Sequence, residues 1–306
     1  MSKFQAWVYA FRLRTLPLAL SSILVGSSIA YADVKGGFNW LVFGLCILTT
    51  LFLQILSNLA NDYGDSEKGA DNDERIGPKR AVQSGLLSIT EIKLGILVCG
   101  TLALLSGIIL VYKGTQGLDI NYTIFFFVLG LSAIAAAIKY TVGKNAYGYT
   151  GLGDLFVFLF FGIVGVCGSH YLLAHKLHYS VLLPAITIGA FSAGVLNLNN
   201  MRDHRSDEKA GKITLVVKIG VSMAKKYHRI LIIAGFLASI LFAIANFTST
   251  MQFLFLITVP LFRRHLVAVH RIASHEEYDP LLPQLAIATF IFSILFALGM
   301  IIGSVG

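Results

Sequence analysis

Two groups of acidic residues stand at the ends of long apolar runs in this 306-residue chain. Asn61, Asp62, Asp65 and Asp71 follow the run from Trp40 to Leu59, and Asn200, Asp203 and Asp207 follow the run from Val181 to Leu198. Charge at such places is costly without a compensating partner, and both groups are trailed by Lys and Arg. Asn61 and Asp65 are four apart, as are Asp203 and Asp207, so a helix continuing through either pair sets both side chains on one face. Asp62 lies beside the first face, and Asp71 one loop further on, past Gly69. Oxygen donors so arranged suit a hard cation such as Mg2+, which divides its shell between carboxylates and substrate phosphate. Just past the second group, Lys212 offers a point charge to a phosphate oxygen. Acidic helix ends are also commonly just solvated, and an acidic loop containing Gly can bind Ca2+. The first loop lacks the EF-hand pattern, and two groups at equivalent helix ends favour metal and phosphate.

The elements that must position these residues are apolar. The chain is 56% hydrophobic and 13% charged, with a mean hydropathy of +0.75. This excludes a soluble domain with one apolar stripe per helix and predicts an all-α, polytopic membrane helical bundle. Stretches of roughly 17–25 apolar residues suit helical spans. About nine transmembrane helices are expected, near 16–33, 39–60, 91–112, 121–140, 152–174, 180–199, 228–247, 250–269 and 284–304. The eighth is the weakest, since Arg263, Arg264 and His265 interrupt it. The net charge of +8 reads as topology rather than nucleic-acid binding, because no stretch forms a basic face with interleaved aromatics. With the N-terminus inside, the outer loops hold only Lys35, Lys113 and Lys176. The expected orientation in the cell membrane is N-in and C-out, with both acidic groups facing the cytoplasm. Lys3, Arg12 and Arg14 before a run ending in Ala30-Tyr31-Ala32 imitate a signal peptide, but a retained first helix preserves the odd span count and the charge asymmetry.

Cys46, Cys99 and Cys167 lie within apolar spans at unrelated spacings and read as packing residues. No low-complexity segment or soluble linker interrupts the chain, so residues 1–306 read as a single integral membrane domain. Asn58–Asp62 echoes Asn197–Asp203, as a parallel repeat of four-helix units would, with the acidic groups facing each other across a central cavity.

Asn61-Asp62-Tyr63-Gly64-Asp65 with Asp71 resembles the first aspartate-rich motif of the UbiA-type intramembrane prenyltransferases, and Asp203-x-x-x-Asp207 resembles the second. Arg14-Thr15-Leu16-Pro17, Arg75-Ile76-Gly77-Pro78, Tyr147–Asp154, Phe160-Phe161-Gly162 and Gly211-Lys212 with Thr214-Leu215 extend the resemblance over most of the chain. Within that family it is most similar to the branch acting on 1,4-dihydroxy-2-naphthoate in menaquinone synthesis. Five residues separate Asp65 from Asp71, as in that branch, whereas the 4-hydroxybenzoate enzymes usually have three. Asp154 stands where the branch often has Glu.

The resemblance implies Mg2+-dependent transfer of a polyprenyl group from an allylic polyprenyl diphosphate to 1,4-dihydroxy-2-naphthoate, with loss of carbon dioxide, to give demethylmenaquinone. It implies Asp65, Asp203 and Asp154 as catalytic residues, and Asn61, Asp62, Asp65, Asp71, Asp203 and Asp207 as metal ligands. Arg80, Tyr140, Lys144, Asn200 and Lys212 become candidates for binding diphosphate. Arg12, Tyr63, Tyr147 and Tyr149 become candidates for the acceptor, Arg12 through a bidentate contact to its carboxylate. Arg12 and Lys144 read equally as positive-inside anchors, and tyrosines form belts at membrane interfaces without any site. Phe125–Phe127 and Phe156–Phe161 either wall a lipid tail or face lipid, while His170, His175 and His178 read as a solvated outer loop. The expected partners are the two substrates and membrane lipid. Alternatives are another aromatic acceptor (4-hydroxybenzoate or homogentisate), a secondary transporter, which places its acids near the bilayer midplane, and a metal-binding scaffold without catalysis. Neither tail length nor oligomeric state is written in these motifs.

Overall fold

The computed structural model describes residues 1–34, 36–71 and 75–305. Lys35, assigned above to an outer loop, lies outside them. Among the described residues there is no strand, and nine helical segments are long and apolar enough to cross a membrane. The chain opens with α1 (Lys3–Phe11), started by a capping box between Ser2 and Gln5. It ends at Arg12, whose left-handed backbone (φ 51°, ψ 56°) turns the chain toward α2 (Leu16–Val34). Next come α3 (Trp40–Glu67), α4 (Ile89–Gly114) and α5 (Ile120–Lys139). The fifth crossing is composite: α6 (Gly153–Val157), a π-helical stretch (Phe158–Cys167) and α7 (Gly168–Ala174). α8 (Leu182–Lys209) and α9 (Leu215–Ala245) follow, then a 3-10 stretch (Thr250–Thr258) leading into α10 (Val259–Arg271), and finally α11 (Leu281–Val305).

The departures from hydropathy lie at helix ends. α3 and α8 run past their apolar stretches to Glu67 and Lys209, so of the two acidic groups named above every residue except Asp71 is helical. Hydropathy falls where the carboxylates begin, yet backbone hydrogen bonding continues because the charges find partners. α9 starts at Leu215, well before the expected 228, and bends at Gly220 (φ 79°, ψ 157°), a conformation that glycine alone adopts readily. In the eighth crossing Arg263 and Arg264 are exposed, while His265 is buried with its Nε2 3.0 Å from Nε2 of His228 on α9. His170 is not in a solvated loop: it is buried in α7, its Nε2 3.0 Å from Oδ2 of Asp33, and Nε2 of His178 lies 3.5 Å from the same oxygen. The three cysteines are buried and free, as packing residues would be.

α8 is the central helix, packed on α9, α11 and the π-helical stretch, while α2 packs along α11. Asn197 Nδ2 donates to the Ala224 carbonyl at 3.0 Å and Thr187 Oγ1 to that of Gly235 at 2.8 Å, fixing α9 against α8. Close approach needs small residues: a Cβ added to Gly162 would come within 2.5 Å of the Ala185 carbonyl oxygen and 2.8 Å of Gly189 Cα. α5 is different, a peripheral helix in which only Phe126 and Ala136 are buried. Gly162→Ala is therefore expected to cost about 1–3 kcal/mol by overpacking and to lower the midpoint of thermal unfolding in detergent. Gly44→Ala, whose Cβ meets nothing within 4 Å, should leave the midpoint unchanged or raise it. Equal midpoints for the two variants would contradict this packing.

Candidate active site

The acidic ends of α3 and α8 are joined by cations. Asp65 is buried, with Oδ2 2.6 Å from Arg80 Nη1 and 3.5 Å from Lys212 Nζ, and its Oδ1 accepts the Tyr149 hydroxyl at 2.6 Å. Lys212 also lies 3.5 Å from Asp207 Oδ1, while Arg75 Nε lies 3.5 Å from Asp71 and 3.8 Å from Asp203. Lys212 and Arg75 thus bridge the first acidic group to the second. Arg80 is the hub of the first group: its Nε is 3.1 Å from Asp71 and 3.8 Å from Asp62, and Nη1 donates to the Asn61 carbonyl at 2.5 Å. Arg202 plays the same part in the second. Its Nε and Nη2 donate to the two oxygens of Asp203 at 2.8 and 2.7 Å, Nη1 donates to Asp279 at 2.5 Å, and Nη2 donates to Asn199 at 2.9 Å.

Local geometry delivers these cations. Past α8 the left-handed Gly211 (φ 71°) reverses the chain, and the Lys212 N–H returns to the Asp207 carbonyl at 2.8 Å, setting the ammonium over the carboxylates. In the loop after α3, Arg75 Nη1 donates to the Pro78 carbonyl at 2.7 Å, and the Ala81 N–H donates to Asp62 Oδ2 at 3.1 Å. Burial discourages charge on Arg80, but Asp65, Asp71 and Asp62 outweigh it and hold the guanidinium more firmly protonated than usual. Lys212 follows the same pattern, with burial overcome by Asp65 and Asp207. Burial, and then the charge of Arg80, bring Arg75 down to about 10. Burial raises the Asp71 carboxyl above the usual carboxylate range, with Arg80 pulling against it and Asp65 adding to it. Tyr140 is pushed up by burial and then by Asp154, Asp65 and Asp207, so it stays a neutral donor among three carboxylates.

Several oxygens keep free capacity. Among the described residues, Oδ2 of Asp71, Oδ2 of Asp207 and the amide oxygen of Asn200 are buried without a hydrogen-bond partner, while Oδ1 of Asp71 meets only the ion-pair contacts of Arg80 and Arg75. Such orphaned hard oxygens in a site rich in carboxylates fit a divalent cation such as Mg2+. Among the described residues no three acidic or histidine side chains already converge on one point. Arg75, Arg80 and Lys212 lie between them instead, as groups that can pair with phosphate oxygens.

The other expected residues separate. Asn61 lines the main chamber, its amide oxygen accepting from Thr141 Oγ1 at 3.2 Å. Asp62 is turned elsewhere: one oxygen is bonded to the Arg12 guanidinium and the other to the Ala81 N–H, so it ties the α1–α2 turn to the loop after α3. Arg12 is consequently a paired cation, although it borders both chambers described below. Tyr147 lines the main chamber, stacked on Phe156 at 4.0 Å between centroids, and donates to the Ala136 carbonyl at 2.8 Å. Three of the expected residues lie apart from the chambers. Tyr63 points away from the chambers, donating to Glu67 at 2.9 Å beneath Lys93, because its helical position is rotated toward α4. Tyr149 supports Asp65 rather than walling a chamber, and Lys144 is exposed in the loop after α5, outside the ion-pair network. Asp154 is buried at the start of α6 with Oδ1 unpartnered, and it lines neither chamber.

Two chambers meet at this cluster. The main one, about 420 Å³, begins at Asn61, Asp65, Arg80 and Lys212 and continues between α3, α4, α5 and the fifth crossing past mostly apolar side chains, including Phe126, Phe127, Phe156, Phe160 and Phe161. Phe125 lies outside this wall and faces outward. At its polar mouth, Asn58 Nδ2 donates to Thr15 Oγ1 and to the Phe11 carbonyl, each at 2.9 Å, and Gln54 Nε2 donates to Asn58 at 3.3 Å. The second chamber, about 360 Å³, is bordered by Arg12, Arg14, Arg75, Lys79, Arg80 and Arg202 together with Asp62 and Asp279. Sequence reasoning missed Arg202, Arg75 and Asp279 as site residues. The two arginines stood inside quoted motifs, whereas Asp279 is a lone acid with no local signal.

The UbiA prenyltransferase family model matches residues 19–294. The chain is 44% identical over 301 residues to a 1,4-dihydroxy-2-naphthoate octaprenyltransferase of Haemophilus influenzae, covering 98% of this chain and 97% of that one. The structure of a UbiA homolog from Aeropyrum pernix K1 matches with a TM-score of 0.70 at 14% identity, covering 95% of this chain and 98% of that chain. That of a UbiA homolog from Archaeoglobus fulgidus bound to GPP and Mg2+ matches with a TM-score of 0.64 at 14% identity, covering 95% and 99%. At such identity the two structures establish a common fold, and the family match and the bacterial relative extend over nearly the whole chain. The chain belongs to the UbiA prenyltransferase family.

Proposed function

We propose that this protein transfers a polyprenyl group from an allylic polyprenyl diphosphate to 1,4-dihydroxy-2-naphthoate in menaquinone biosynthesis, as one membrane domain whose acidic end faces the cytoplasm, N-in and C-out. The observation that carries this reading is the main chamber itself, charged and hydrogen-bonding at one end and mostly apolar along the rest. Such a cavity matches an amphiphile with a diphosphate head and an isoprenoid tail. Both acidic groups lie at one end of the bundle, which favours an enzyme over a transporter with a midplane site. The basic residues follow the same asymmetry, which supports the orientation.

The paired residues supply the chemistry. Asp65, Asp71, Asp203 and Asp207, with the amides of Asn61 and Asn200, would hold Mg2+, which neutralises charge on the departing diphosphate. Arg80, Lys212 and Arg75 are placed to exchange carboxylate for phosphate oxygens, and Tyr140 stays protonated to donate to them. The allylic carbon–oxygen bond breaks, diphosphate leaves with the electron pair, and an electron-rich ring carbon forms the new carbon–carbon bond. Where that carbon bears the carboxylate, its loss as carbon dioxide returns the bonding pair to the ring and leaves the prenylated hydroquinone, the reduced form of demethylmenaquinone. Arg12, at the junction of the two chambers, is the cation best placed to meet that carboxylate before it leaves.

Purified protein supplied with a polyprenyl diphosphate, Mg2+ and each acceptor separately is expected to prenylate 1,4-dihydroxy-2-naphthoate and release carbon dioxide in equal amount; product from 4-hydroxybenzoate alone would sink the acceptor assignment. Asp65→Asn and Asp203→Asn should each lower Mg2+-dependent diphosphate release at least about 100-fold, and unchanged release in both would remove the enzyme reading. Arg80→Gln leaves Asp62, Asp65 and Asp71 without their shared cation. It should cost about 3–5 kcal/mol of stability, seen as a lower unfolding midpoint that a second change, Asp71→Asn, partly restores.

A further inference from the structure

Between Glu208 and Glu276 the sequence holds nine Lys and Arg and no Asp or Glu. Three of the nine, Arg229 of α9 and Arg263 and Arg264 of α10, are exposed on the outside of the bundle, and among the described residues none of them has a hydrogen bond or an ion pair. This sets them apart from Arg12, Arg75, Arg80 and Arg202, each of which is paired with a carboxylate. The buried contact between His228 and His265 (3.0 Å) puts α9 and α10 in register. Because Arg229 follows the one histidine and Arg263 and Arg264 precede the other, all three arginines stand at one level. No residue of α9 or α10 lines either chamber, so this level belongs to a surface separate from the candidate active site.

That level lies within the membrane. Beyond Arg229 the apolar part of α9, residues 230–245, measures about 24 Å. From Thr250 through the 3-10 stretch and the first turn of α10 to Arg263 the length is also about 24 Å. Both stretches end on the far side at polar residues, Asn246 and Ser249. Against a hydrocarbon thickness of about 30 Å, the three Cα atoms stand about 6 Å inside the boundary at the acidic end, and any tilt of the helices sets them deeper. An arginine there carries its guanidinium up to the phosphate layer while its methylenes stay in hydrocarbon. A cation so placed needs a counter-charge, and no described carboxylate supplies one. Just beneath lie exposed apolar side chains, Ile230, Ile233 and Leu237 of α9 and Leu261 of α10, a surface suited to acyl chains rather than to a free anion. A zwitterionic headgroup brings its own cation and leaves the guanidiniums uncompensated in sum, whereas an anionic headgroup neutralises them. We propose that Arg229, Arg263 and Arg264 form a binding site for the headgroup of an anionic phospholipid in the leaflet at the acidic end, with its acyl chains lying along α9 and α10.

The test is native mass spectrometry of the full chain released from detergent micelles that contain equal amounts of phosphatidylglycerol and phosphatidylcholine. The wild type is expected to retain phosphatidylglycerol over phosphatidylcholine by at least about fivefold, and the combined variant Arg229→Gln, Arg263→Gln and Arg264→Gln to bring the two within about twofold. Lys93, Lys139 and Lys144 are exposed at the same end of the bundle. Replacing these three by Gln removes the same charge and should leave the preference intact. Since the three arginines are exposed and unpaired, the arginine variant should unfold at the wild-type midpoint in zwitterionic detergent, and added phosphatidylglycerol should raise the midpoint of the wild type but not of the variant. No preference in the wild type, an equal loss in the lysine variant, or displacement of phosphatidylglycerol by inorganic phosphate at constant ionic strength would overturn the site.

Discussion

A row of carboxylates buried at one end of an apolar bundle stays ionised only if cations are held among them. Burying an unpaired ion costs several kcal/mol even after relaxation, and here Asp62, Asp65, Asp203 and Asp207 are each almost wholly removed from solvent. The conformation of that end follows from the requirement. The loop after α3 folds back to deliver Arg75 and Arg80, the turn after α8 delivers Lys212, and Arg202 reaches across to Asp279 from the loop before α11. A network of this kind adds little net stability over a well-packed apolar core. On the function proposed above, its advantage is that the charges are already oriented where a polyanion and its metal ions would be received.

The same requirement separates two kinds of aspartate that look alike in sequence. Asp62 is satisfied by Arg12 and the Ala81 N–H and joins three segments, whereas Asp71 and Asp207 retain oxygens with no hydrogen-bond partner. Fully paired acids and acids with an unpartnered oxygen therefore lie within a few residues of each other. The chambers diverge from this division, one apolar and membrane-deep beyond Asp65, the other basic around Arg12 and Arg202. A donor with a lipid tail and an acceptor with a carboxylate could then approach one centre from different sides.

Much of this was legible in the sequence, because membrane-length apolar runs and four-residue acidic spacings are strong periodic signals. The nine crossings were found, with the eighth correctly marked as weak at Arg263–His265. What hydropathy missed was the continuation of α3 and α8 through their charges, and the early start of α9 with its bend at Gly220. Those features depend on partners distant in sequence. At the candidate site, the acidic motifs, Arg80 and Lys212 stand out in sequence by their spacing and their place at helix ends, and the structure brings them into one ion-pair network. That Tyr63 turns to Glu67 and Tyr149 to Asp65, rather than lining a chamber, is not legible in sequence, because helical rotation and a long-range hydrogen bond are tertiary facts. The bridging role of Arg75 and the pairing of Arg202 with Asp279 depend on how the loops after α3 and before α11 meet α8, and leave no periodic trace.

The central claim is that the two acidic helices, joined now by Arg75 and Lys212, open to receive Mg2+ and a diphosphate between them. The most direct measurement is a structure of this protein with Mg2+ and a non-hydrolysable polyprenyl diphosphate. The account predicts metal ions bound by carboxylates of both groups, including Asp65 and Asp203, phosphate oxygens on Arg80 and Lys212, and the tail running along the α3 wall of the main chamber. Diphosphate bound away from one of the two helices, or metal held by neither group, would contradict it.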